Sequence, residues 1–222
     1  MGRCRRVDLP VVAGLVVFLL VLSSCHSASK SSASGSFPST IPIELGLRGV
    51  DVPGGPQQIG TLANPTTVQL QQLYGCMSAP APSFKIQRTS PLFRAPSGFN
   101  VYSTTQVFLT STEAATNLTT VSQPAFPRCA STLVSQVFSS LPLGTTFGSP
   151  TALRRTFPKI ADGSVSYRLT MAITTGTTPG TATADIVFVR DQTAVVELVF
   201  IEESAAPTST AELAVVHNIF PQ

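Results

Sequence analysis

The chain has 222 residues but no tryptophan, two histidines and three lysines, and only 11% of its residues are charged. Each shortage removes a class of chemistry. A Ser-His-Asp triad needs an imidazole held by a carboxylate and aimed at a serine. A structural or catalytic zinc site draws on several imidazoles or thiolates. One histidine, His26, lies in a serine-rich stretch, and the other, His217, stands beside Val215 and Val216 on an expected helix. The pattern Gly-x-Ser-x-Gly is absent after residue 25, as are a phosphate loop, a dinucleotide fingerprint and any interleaving of basic and aromatic residues that would suit nucleic acid. Paired carboxylates offer little more. Glu202 and Glu203 are adjacent, so on a strand they point to opposite faces, and Asp162-Gly163 is first a turn signal. No catalytic residue, cofactor or metal is therefore assigned.

What is present begins with an address. Arg3, Arg5 and Arg6 precede an apolar run of 14 residues from Leu9 to Leu22, followed by Ser23, Ser24 and Cys25. A basic start, a short apolar core and small residues make a secretory leader. The run is too short to cross a bilayer core of about 30 Å comfortably. Leu22-Ser23-Ser24-Cys25 resembles the bacterial lipobox, which implies that residues 1–24 are a signal peptide and that Cys25 is lipidated and becomes the new N-terminus. An ordinary secretory leader or an uncleaved signal anchor is the competing reading. The leader also holds most of the charge imbalance. Without Arg3, Arg5, Arg6 and Asp8, the counts of 14 basic and 11 acidic residues become 11 and 10. The excess of positive charge is thus no evidence for a nucleic-acid or anionic-membrane partner.

Residues 25–40 read as a flexible tether, with seven serines between His26 and Thr40. Residues 41–222 suit a single domain. Asn64-Pro65 predicts a helix start, with Asn64 as cap and Leu70, Leu73, Tyr74 and Met77 at helical spacing. Phe84–Arg88 and Val101–Thr110 favour strands, with a loop over Ser90–Asn100 between them. Thr110 and Glu113 fit a capping box. A further helix is expected over Pro127–Ser140. Val165, Tyr167, Leu169, Met171 and Ile173 alternate with polar residues, the mark of a strand. Ala182–Arg190 and Ala194–Glu202 follow as two more, giving an antiparallel meander. Val187, Val189, Val196, Leu198 and Phe200 suggest that these two are covered on both faces. Ser209 and Glu212 suggest a capping box for a last helix. The expected class is α+β: an antiparallel sheet with helices packed on one face.

The order Tyr74-Gly75-Cys76, Thr89-Ser90-Pro91-Leu92-Phe93, Val107-Phe108, Pro127-Arg128-Cys129, Tyr167-Arg168-Leu169-Thr170 and Asp185-Ile186-Val187-Phe188-Val189-Arg190 resembles actinobacterial lipoprotein domains akin to the extracellular sensor domain of the PknH-type kinases. The LpqN-type lipoproteins share the broad architecture and match less well. The resemblance implies an α+β fold with a cleft for an unidentified ligand. Those sensors carry two disulfides, whereas this domain has cysteines for one, and it has no kinase part, so neither the second bridge nor signalling carries over.

Cys4 lies in the leader and Cys25 at the lipid site, which leaves Cys76 and Cys129 in an oxidising compartment, where paired thiols usually join. The alternatives are two buried thiols or a reactive cysteine that lacks a base. Arg154, Arg155 and Lys159 form the densest positive cluster, suited to an anionic ligand or, alternatively, to guarding an edge strand. Arg168 and Thr170 sit on the polar face of the best strand, as candidate ligand-binding residues. The competing role for Arg168 is a salt bridge to Asp185 or Glu197.

Three functions remain in order. The first is a membrane-anchored extracytoplasmic module that binds a small molecule, an envelope component or a protein. The second is an accessory envelope protein without a pocket, and the third a carboxylate hydrolase. The anchor is the part that a single substitution tests. A Cys25→Ala variant should fail to incorporate labelled palmitate in a bacterial host, and unchanged labelling would overturn the lipobox reading.

Overall fold

The computed structural model describes residues 45–139, 145–202 and 208–221. The leader, the tether, Cys25 and Glu203 lie outside the described residues. Among these residues, nine strands form one antiparallel sheet, with four helices. The strands are β1 (Gln57–Thr61), β2 (Ile86–Thr89), β3 (Pro91–Arg94), β4 (Asn100–Val107), β5 (Thr145–Phe147), β6 (Thr151–Arg155), β7 (Gly163–Thr175), β8 (Thr178–Asp191) and β9 (Ala194–Glu202). The helices are α1 (Thr67–Cys76), α2 (Ser111–Val121), α3 (Phe126–Ser139) and α4 (Ser209–Ile219). The order across the sheet is β1-β3-β4-β9-β8-β7-β5, with β2 also on β4 and β6 also on β7.

The expected meander is β7-β8-β9. β7 and β8 stay in register from Gly163↔Arg190 to Thr175↔Thr178, and β8 and β9 from Thr183↔Glu202 to Asp191↔Ala194. Strand β3 falls where a loop is expected. Its chain is fixed by Ser90, whose Oγ accepts from the Ser103 amide at 2.9 Å while its own amide donates to the Ser103 carbonyl. This crimp splits Ile86–Arg94 into β2 and β3, each pairing with a different half of β4.

The two central strands explain the layering. In β9, Val196, Leu198 and Phe200 pack with Val187 and Val189 of β8 beneath Val215, Val216 and Ile219 of α4. The alternate residues Val195, Val199 and Ile201 face the other way, in clusters that include Tyr74, Val121, Phe126 and Val134 of the remaining helices. Three helices therefore share one face, and the expectation of one-sided packing needs a correction for the fourth. Helix α4, with Leu47 and Val52, covers the opposite face. Strands that are apolar on both sides need two covers, because bare apolar surface of this extent in water is unfavourable.

The helix starts also move. Thr66, not Asn64, caps α1: its hydroxyl accepts from the Gln69 amide at 3.2 Å, and Gln69 Oε1 accepts from the Thr66 amide at 2.8 Å. The Thr110–Glu113 box at α2 forms as expected. At α4 the cap is Thr208, which accepts from the Ala211 amide, so Glu212 is left for another role.

Cys76 at the end of α1 and Cys129 in the first turns of α3 are bonded, with their Cα atoms 5.7 Å apart and a sequence separation of 53. The bond fastens two helices that both lie on the three-helix face. On the chain-entropy account, a closed loop of this length stabilises the native state by about 4 kcal/mol. Replacing both cysteines by alanine should lower the urea midpoint by a corresponding amount. An unchanged midpoint would show that the bond constrains nothing in the unfolded chain.

Candidate functional site

The three-helix face does not close completely. A cavity of about 140 Å³ remains between the sheet and α1, α2 and α3. Its walls are apolar: Leu70 and Leu73 from α1, Val121 from α2, Ala130 and Val134 from α3, and Val195 and Val199 from β9. An apolar cavity of about 150 Å³ is large enough for a benzene ring. Several lining residues of the helix layer stay partly exposed, among them Gln69, Leu70 and Leu73 on α1 and Leu133 on α3. The space therefore opens to solvent between α1 and α3, the two helices that the disulfide joins.

Strand alternation puts one carboxyl on the floor of this cavity. Glu197 stands between Val195 and Val199 on the same face of β9, opposite Thr104 of β4 on one side and Phe188 of β8 on the other. It lines the cavity and has no hydrogen bond or ion pair among the described residues. Tyr102 and Gln106 of β4 reach the same floor and likewise lack side-chain hydrogen bonds among those residues. Nearby, Asn117 of α2 donates from Nδ2 to the Tyr74 hydroxyl at 2.6 Å.

The electrostatics follow from that placement. Desolvation alone pushes the Glu197 carboxyl from its ordinary 4.5 up to about 7. The Tyr102 and Tyr74 hydroxyls are pushed well above their ordinary range, chiefly by burial, with the Glu197 charge adding to the effect in both. The floor thus combines an acid that titrates near neutrality with two phenols that stay protonated. It can accept a hydrogen bond or a positive charge from a guest, and it can donate hydrogen bonds from the tyrosines.

The residues singled out in the sequence lie elsewhere. Arg168 projects from the α4 face of β7 and grips Asp185 of β8 through Nε and Nη2, at 2.8 and 2.5 Å. Arg155 of β6 places Nη1 2.7 Å from Asp185 and 2.9 Å from Glu212 of α4, and Nη2 3.0 Å from the Ser209 hydroxyl. Asp185 and Glu212 are fully buried. These four side chains tie α4 to the sheet. Burial and Asp185 push the Glu212 carboxyl up against the pull of Arg155. This pair of carboxyls is sealed from any substrate, which removes the geometry a hydrolase would need there. Thr170 is on the same strand face as Arg168, paired with Thr151 and Thr183. Arg154 is exposed and approaches the Ser122 carbonyl at 3.5 Å. None of the four lines the cavity. Among the described residues there is also no group of three or more His, Cys, Asp or Glu side chains that could hold a metal ion.

Glu197 was within reach of sequence reasoning. It is the one polar residue inside the run Ala194–Ile201. Read at period two, it belongs with Val195, Val199 and Ile201, not with the face that carries Arg168. The pairing fixes this, since Asp185 sits opposite Phe200 while Glu197 sits opposite Phe188.

Between pH 4.5 and about 7 the folded chain keeps a proton on Glu197 that the unfolded chain releases. This contribution to stability is fully present below pH 4.5 and is lost as pH rises through 7. Urea unfolding from pH 4.5 to 8 should therefore show a decline, to which Glu212 adds with the same sign. Glu197→Gln should flatten that decline and gain most over the parent at pH 8. A variant with the parental slope would contradict the desolvation of a lone carboxyl.

No protein family and no curated protein matches the chain. Among solved structures it is similar to the extracellular domain of PknH from Mycobacterium tuberculosis, at 8% identity, over 69% of this chain and 89% of that one, with a TM-score of 0.32. A likeness at that score is a distant one of fold and transfers no residue, ligand or role.

Proposed function

We propose that the chain is an extracytoplasmic binding module, anchored to the membrane through a lipid on Cys25, that takes a small and mostly apolar ligand into the cavity above Glu197. The observation that carries this reading is the unpartnered carboxyl on the floor of a mostly apolar cavity. Cavities of this kind, apolar with a few convergent polar groups and a perturbed pKa, are the usual form of small-molecule sites. The leader pattern supports the location, and the Cys76–Cys129 bond suits an oxidising compartment. The volume limits the guest to about the size of one ring, or to the end of a longer molecule inserted between α1 and α3. Whole lipids and glycans do not fit. The accessory-protein alternative requires a solid core, and the cavity counts against it.

Small aromatic probes test the reading. Titrated into the protein, benzyl alcohol should give saturable methyl shifts at Leu73, Val134 and Val199. It should also raise the unfolding temperature, with about 2.7 kcal/mol of stabilisation at a hundredfold excess over Kd. Ala130→Leu and Ala184→Leu, which fill the space from its wall, should weaken that binding. Shifts that never saturate, or that fall outside the cavity, would favour an accessory protein acting through its surface.

A further inference from the structure

The three fully buried carboxyls among the described residues each have a cation beside them, and the half-buried Glu197 does not. Asp51 is held by Arg48 at 3.1 Å, Asp185 by Arg155 and Arg168, and Glu212 by Arg155. Each buried acid has an arginine beside it, as the cost of desolvating a charge demands. Glu197 has none. The lining of its cavity contains no lysine, arginine or histidine. The titratable groups that face it are Tyr102 from β4 and Tyr74 from α1, while α2 contributes the neutral Asn117, and α3 and β8 contribute apolar residues. No part of the described fold supplies the missing cation.

From this we infer that the cavity selects a compact monocation, a protonated amine on a small apolar body, with its nitrogen against the Glu197 carboxylate. The proposal rests on the cavity-binding reading and names the class of ligand for that site. Three features converge on it. The sole charge available in the lining is negative, so an anionic guest is repelled and a neutral one leaves the carboxylate unpaired. The aromatic residues Tyr74, Tyr102 and Phe126 line the same space, and aromatic faces attract ammonium groups. The apolar walls on α1 and α3 suit a short hydrocarbon body, and the opening between those helices admits it.

Benzylamine and benzyl alcohol share a body and differ in charge, so they separate the two levels of the proposal. Both are titrated by calorimetry into the full chain and its Glu197→Gln variant between pH 6 and 8. The expected result is that benzylamine binds at least tenfold more tightly than benzyl alcohol at pH 8. Its affinity should drop about tenfold by pH 6 as the carboxyl takes up its proton. In the variant both the preference for the amine and the pH response should vanish. The pH profile of the unaltered protein is a second readout that needs no variant. Equal affinity for the two ligands, or a preference that survives in the variant, would overturn the amine inference and leave the cavity reading standing. Binding of neither ligand would overturn both.

Discussion

The fold depends on a constraint at its centre: β8 and β9 are buried on both faces, so a polar side chain there must find a partner or remain unpaired. An ionised carboxyl moved out of water loses several kcal/mol of hydration unless a cation or hydrogen bonds replace it. On the α4 face the replacement is complete. Asp185 and Glu212 share Arg155, and Arg168 closes the cluster with two hydrogen bonds to Asp185. That network also fixes where α4 lies, since Ser209 and Glu212 on the helix are both held by one guanidinium from β6. On the other face no cation among the described residues stands beside the half-buried Glu197, which lines the cavity beneath the helices.

The construction of that cavity is local. Helix α1 is positioned at its start by the Thr66–Gln69 box and at its end by the bond from Cys76 to Cys129. Helix α2 is tied down by Asn117 on the Tyr74 hydroxyl, and its last residue, Val121, accepts at its carbonyl from the Tyr167 hydroxyl at 2.7 Å. Phe126 at the head of α3 packs edge-on to Phe188 at a centroid distance of 5.4 Å. The disulfide end of the roof is therefore well filled, by Phe126, Tyr167 and Phe188. The cavity runs along α1 past Gln69, Leu70, Leu73 and Tyr74 and is bounded by Phe126 and Phe188.

Much of this architecture was legible in the residues. The alternation in Val165–Ile173 and the capping box at Thr110 carry strong local signals, and both elements form. The α+β class and the antiparallel meander followed from them. The layering was harder to read. Val196, Leu198 and Phe200 revealed a second buried face, but nothing local says that α4 returns to cover it, because that contact is made through Arg155 and Glu212, 57 residues apart. Strand β3 was hidden because Ser90 looks like a turn residue, and its role depends on Ser103, a distant partner. The cavity was overlooked for a similar reason. Arg168 is conspicuous on the polar face of a strand, yet its charge is consumed by Asp185 across one strand pair. Glu197 looks like an ordinary strand charge until register assigns it to the apolar side.

The central claim is that Glu197 is a lone carboxyl inside a cavity that binds a cationic guest. The most direct measurement is an NMR titration of its side-chain carboxyl carbon in glutamate-labelled protein, free and saturated with benzylamine. The midpoint should lie near 7 in the free protein and move clearly downward when the amine is bound. A midpoint near 4.5 in both states would show an exposed or already paired carboxylate and would contradict the claim.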